Sequence, residues 1–212
     1  MPDSSTQKER VNNEFYTQKR WNNWIGKVKE SGFEFKDSDE ETEKESAIFV
    51  NMQDDVILSC LKVIAQYERG IFTKEDAMDI ISQIREIVLE EIDHISEDID
   101  LMIESLQTSL MAAIAACELY IMGEYDKDAE INELIKAAVD AEDSDDLQIA
   151  MQFIAEAGAR VIGGDELPEN LFDELPYGLV AEWLDGIDSI AAAMVGADSY
   201  KEDDGSGDFE PI

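Results

Sequence analysis

The 212-residue chain is short of positive charge: 16 Lys and Arg face 51 Asp and Glu, a formal net charge of −35. A field of that sign repels phosphate, so direct binding of nucleic acid or of an anionic membrane surface by the body of the protein is excluded as a reading. Histidine is nearly missing as well. His94 stands alone, which removes metal sites built from several imidazoles and leaves at most one His-dependent catalytic arrangement. No GxGxxG or GxxxxGKS/T phosphate cradle occurs, so nucleotide binding has no support and no cofactor is expected. The first fourteen residues lack the apolar run of about 7–15 residues that a secretory signal needs. The longest uninterrupted apolar stretch, Leu110–Cys117, falls far short of the ~20 residues that span a bilayer. A soluble, cytoplasmic protein is the expectation, with no membrane partner. Its two cysteines, Cys60 and Cys117, lie in apolar stretches without CxxC spacing, so buried reduced thiols are expected.

Only four prolines occur (Pro2, Pro168, Pro176 and Pro211), and the long interval between the first two is free of helix breakers. Within it apolar residues recur at three and four, as in Trp21, Trp24, Ile25 and Val28, or Leu106, Leu110, Ile114 and Cys117, while strand alternation is absent at useful length. Hydrophobic residues make up 44% of the chain, enough at this spacing to fold an acidic sequence that would otherwise read as disordered. The pattern predicts an all-α fold, a compact bundle of about seven helices arranged as helical hairpins, over residues 13–195. The helices are expected at about 13–30, 46–69, 74–92, 97–122, 127–141, 145–162 and 178–195, with a short helical turn after Pro168. Residues 1–12 read as a disordered arm and 196–212 as an acidic disordered tail. Thr73, Ser96 and Ser144, each followed by acids, mark helix starts. Gly70, Gly123 and the Gly163-Gly164 pair mark three stops.

Those three stops resemble one another. Leu61 and Leu58, Ile114 and Met111, and Ile154 and Met151 sit nine and twelve residues before the respective glycines, and Tyr67 matches Tyr120. The first two units continue alike, Gly70 to Glu75 and Gly123 to Asp128, each into a shorter helix. The offsets of 53 and 40 residues do not make a solenoid period, so divergent duplication and independent hairpins both remain open. Charge is also uneven. Residues 1–36 hold seven bases and five acids, a net +2, leaving nine bases and 46 acids, −37, in the rest. The first helix is therefore expected to lie against the acidic body or to reach a partner the body would not hold.

Candidate sites are few. Glu91 and His94 have the ExxH spacing of carboxylate-bridged metal sites in helical bundles, but such sites need two ExxH pairs and further glutamates, so both are weak metal candidates beside a solvated histidine at a helix end. The acidic runs starting at Asp37 and Asp126 fail as EF-hand loops, with Thr42 and Ile131 at the sixth position and Ile48 and Ala137 at the twelfth. Arg20, Trp21 and Trp24 are the partner-binding candidates, since arginine beside aromatics is typical of interface anchors; the competing reading puts the two tryptophans in the buried stripe of an amphipathic helix. Asn51 to Asp55 read as a solvated helix face, with a buried polar network as the rival. The eight methionines read as core filling, with an adaptable Met-rich groove as the rival.

Phe15-Tyr16, Arg20-Trp21 with Trp24, Asn51 to Val56, Cys60 to Val63, Arg85 to Glu91 and Gln107 to Leu110 together resemble an uncharacterised archaeal protein family, a domain of unknown function found in methanogens and halophiles. The resemblance spans about residues 13–195. It implies an archaeal cytoplasmic, all-helical protein and transfers no catalytic residue. It also gives the acidity an ordinary role, a hydrated surface that keeps a protein soluble in concentrated salt. The expected function is a non-enzymatic protein–protein interaction or adaptor module with a basic or helical protein partner, and self-association into a homo-oligomer stays open. The rivals are a carboxylate-rich metal-dependent enzyme using the Glu91/His94 region and an acidic mimic of nucleic acid.

Overall fold

The computed structural model describes residues 15–36 and 39–196. The arm expected at 1–12, the tail from residue 197 and the Asp37-Ser38 start of the first acidic run lie outside the described residues. Among the described residues every regular element is a helix: α1 (Gln18–Ser31), α2 (Asp39–Glu68), α3 (Lys74–Val88), α4 (Glu97–Met122), α5 (Ile131–Asp143), α6 (Leu147–Ile162), a four-residue turn α7 (Leu171–Glu174) and α8 (Leu179–Gly196).

Several ends follow local chemistry. Thr73 and Asp76 form a reciprocal capping box at α3, Ser96 accepts from Ile99 N–H at α4, and Gly70, Gly123 and Gly164 take positive φ of 70°, 69° and 107° where α2, α4 and α6 stop. Elsewhere the boundary moves because the cap comes from a different place. Thr17 accepts from Arg20 N–H, so α1 begins at Gln18, not residue 13, and Phe15 and Tyr16 enter the core ahead of it. Helix α3 ends at Val88, not residue 92, where Gln107 of α4 donates its amide to the carbonyls of Val88 and Glu90 at 2.9 and 3.0 Å. Ser144 closes α5 instead of opening α6. Its hydroxyl donates to Asp140 O, Asp145 adopts φ 57°, and Asp146 caps the next helix by accepting from Ile149 N–H. Helix α8 is capped at long range, since the Glu142 carboxylate of α5 accepts from Leu179 N–H at 2.6 Å and Val180 N–H at 3.3 Å.

Helix α4 is the centre, packed on α2, α3, α6 and α8. By length and composition it could cross a membrane, although no uninterrupted apolar run in it does; half of its most apolar window is buried inside the bundle, as in a core helix. Small residues let the backbones converge. A Cβ on Gly186 of α8 would overlap the Ser109 carbonyl of α4, and one on Gly158 of α6 would meet Ala116 Cβ at 2.5 Å and Ile187 Cδ1 at 2.6 Å. Helices α2 and α3 fold back on each other, as do α5 and α6, whereas α5 packs on α6 and α8 instead of returning along α4. The two repeat-like units thus diverge after their glycines. Arg85 of α3 pairs with Glu118 of α4, and α1 lies across α2 and α3.

Candidate functional site

The ends of α2, α4 and α6 open onto one groove of about 510 Å³ lined by Tyr67, Glu68, Tyr120, Tyr125, Lys127, Arg160 and Asp165, with Gly123 and Gly163 also in its lining. Tyr67 and Tyr120, matched in the sequence, and the glycine stops Gly123 and Gly163 are therefore brought to one place, while Gly70 is not among the lining residues. Tyr67 and Glu68 occupy the last turn of α2 and Tyr120 the last turn of α4, and Tyr120 Oη donates to Glu68 Oε1 at 2.5 Å. Tyr125, from the connection to α5, stacks on Tyr120 with ring centroids 6.3 Å apart and planes 30° apart. Asp126, next along that connection, is fixed by its N–H donating to Glu156 at 2.8 Å. Burial pushes the Tyr125 hydroxyl above its ordinary pKa, with Arg160 opposing and Asp165 adding to the shift.

Both bases of the groove are already engaged. Lys127 Nζ stands 5.9 Å from the centre of the Tyr125 ring, and Arg160 Nε lies 2.6 Å from Asp165 Oδ2. The Arg160 Nε–H has no acceptor of good hydrogen-bond geometry, so that contact is a charge pair and not an aligned hydrogen bond. Three helix C-termini also turn their negative poles toward this end of the bundle. Arg160 and Asp165 carry no signal in the sequence, because they reach the groove from a helix and a loop that only the tertiary fold brings to Tyr125, which lies in the Gly123 to Asp128 stretch that parallels Gly70 to Glu75.

Arg20, Trp21 and Trp24 are used inside the chain. Trp21 is 1% exposed. The Asp55 carboxylate of α2 accepts from Arg20 Nε at 2.8 Å and from Trp24 Nε1 at 2.7 Å, and Arg20 Nη2 completes the pair. The guanidinium sits 5.4 Å from the Tyr16 ring, whose buried hydroxyl is pushed far up, first by desolvation and then by Asp55. The three candidates thus hold the basic first helix against the acidic body.

Residues 51–55 depart from the solvated face expected of them. Gln53, 8% exposed, donates to Asp185 Oδ2 at 3.0 Å and to Ser189 Oγ at 2.8 Å on α8, and accepts from Ser109 Oγ of α4 at 2.9 Å. Asp54 and Asp188 flank this junction with carboxyls raised above their ordinary range, by burial first and then by the charge of Asp185.

Glu91 and His94 do not share a helix face, because α3 ends before them, and both side chains are exposed in the connection to α4. His94 Nδ1 lies 2.5 Å from Asp100 Oδ2. That carboxylate is held below the ordinary range mainly by Ile95 N–H and then by His94. Among the described residues no group of three or more His, Cys, Asp or Glu side chains is placed to hold a metal ion.

An acidic, wholly helical body with a tyrosine-lined groove at one end defines the class of protein. The chain belongs to a family of uncharacterised proteins conserved in archaea (DUF2150), whose model matches residues 14–203. Neither a curated protein nor a solved structure matches the chain.

Proposed function

We propose that this archaeal protein is a non-enzymatic interaction module that receives a basic protein partner at the glycine-capped end of its bundle. The observation that carries the reading is the setting of Tyr67, Tyr120 and Tyr125 around the C-terminal ends of α2, α4 and α6. Each helix end contributes about half a negative charge, and the face of a phenol ring attracts a cation. Lys127 over Tyr125 is an internal instance of the contact that a partner's lysine or arginine would make. Glu68 and Asp165 add carboxylates to the groove, and the −37 carried beyond residue 36 steers a basic partner toward the body. Tyrosine and arginine are also the residue types on which interface binding energy concentrates.

The test is affinity purification of the full chain from cell extract at low and at moderate salt, run beside Tyr125→Ala and beside Tyr177→Ala, whose ring is fully exposed and outside the groove. A basic partner recovered in stoichiometric amount at low salt, weakened by salt, lost with Tyr125→Ala and kept with Tyr177→Ala is the expected result. Recovery of no such partner, or equal retention by both variants, would overturn the proposal.

A further inference from the structure

Cys60 of α2 and Cys117 of α4 are both free and both buried, 2% and 1% exposed. They come from two helices that pack side by side, and they face the same apolar seam, too tight to hold a water molecule, with Val56, Ile57, Leu110, Ile114 and Ile190. The neighbouring Cys60 thiol, together with burial, pushes Cys117 well above its ordinary pKa. Cys117 is accordingly a neutral thiol in the packed fold.

We infer that Cys60 and Cys117 are a latent disulfide, a covalent lock between α2 and α4 that closes when the chain meets a small-molecule disulfide such as glutathione disulfide. Neutral, apolar cystine suits this environment better than two weak S–H donors, and both side chains already border one seam between α2 and α4. One protein thiol, as its thiolate, attacks glutathione disulfide, forms a mixed disulfide and expels one glutathione thiolate. The second protein thiolate then attacks the protein sulfur of that mixed disulfide and expels the other glutathione. Two protein thiols lose two protons and two electrons, and one glutathione disulfide is reduced to two glutathiones. Because both sulfurs are buried, exchange needs an opening of the α2–α4 packing or an encounter during folding. The groove plays no part in this inference, so its failure leaves the proposed interaction untouched.

The experiment is refolding of the full chain from denaturant in excess glutathione disulfide, with thiol counting after unfolding, intact mass, peptide mapping and melting. The expected product is a monomer that lacks two hydrogens and yields one peptide pair joined through Cys60 and Cys117. It should melt on the order of 10 °C higher than the reduced chain, with dithiothreitol reversing the gain. Cys60→Ala under the same conditions should show no gain in melting temperature. Two persistent thiols, stable glutathione adducts, cross-linked dimers, or a joined pair that melts below the reduced chain would each overturn the inference.

Discussion

Gln53 joins three helices with one side chain. Its amide reaches Asp185 and Ser189 on α8, and its carbonyl receives the Ser109 hydroxyl of α4. Removing a partner from a buried polar set costs about 1–3 kcal/mol for each group left unsatisfied, so Gln53→Leu should lower the melting temperature by roughly 2–10 °C. Ser109→Ala should cost less, because Gln53 keeps its α8 partners Asp185 and Ser189 and loses only the donor to its carbonyl. Equal losses in thermal melts of the two variants would refute this ranking. The carboxyls nearby carry a pH signature. Asp54 titrates above its ordinary 3.8 in the fold, so the folded state binds the proton more tightly than the unfolded chain. Its contribution to stability is full below pH 3.8 and is lost as pH rises through the folded value. Asp54→Asn should therefore raise the melting temperature at neutral pH by ~1–2 °C and lose that advantage near pH 3. Asp100 behaves in the opposite sense. Its lowered value gives a contribution present at neutral pH and lost as pH falls through the folded value, so Asp100→Asn should destabilise at pH 7 and converge on the parent in acid.

Helices α4, α6 and α8 approach closely only where side chains are small. Gly186→Ala would drive a methyl group into the Ser109 carbonyl, a backbone group that cannot swing aside as a flexible side chain can. About 3 kcal/mol or more of destabilisation is expected, a fall of roughly 6–12 °C in melting temperature, read by calorimetry against Gly26→Ala in α1, where a Cβ meets nothing. An unchanged Gly186→Ala would mean that α8 can shift along α4. The same helices show how far the sequence could be read. The Thr73/Asp76 box, the Ser96 cap and the glycine stops are local chemistry, and α3 and α4 start where those residues put them. The end of α3 and the start of α8 were not legible, because Gln107 and Glu142 supply the caps from other helices. Residues 51–55 look solvated in the sequence for a related reason: a glutamine beside two aspartates resembles surface until Ser109 and Ser189 are brought to it. The groove was half legible. Its glycines and Tyr67 and Tyr120 stood out as a pattern, while Arg160 and Asp165, in the last turn of α6 and just beyond it, did not.

At the scale of the whole molecule, the −35 should act on stability and on the proposed association with opposite dependence on salt. Folding confines the acids of the body to a compact surface, where they repel one another more strongly than in an expanded chain. Salt screens that repulsion. Between about 10 mM and about 150 mM the screening length falls from about 30 Å to about 8 Å, shorter than many separations across a folded body of this size. The melting temperature should rise steeply with potassium chloride over that interval and flatten by about 1 M, where screening reaches about 3 Å. Attraction of a basic partner to the body and groove should weaken over the same interval, since the field that steers the partner is the field being screened. Melting curves and partner retention measured in one salt series separate the two roles of the charge. If stability stays flat while retention falls, the acids serve recognition; if stability rises while retention is unchanged, the surface serves solubility in salt and the groove binds through its rings and hydrogen bonds. Opposite slopes are the expected result, because Glu68 and Asp165 border the groove while, among the described residues, many other acids are exposed on helix surfaces outside its lining.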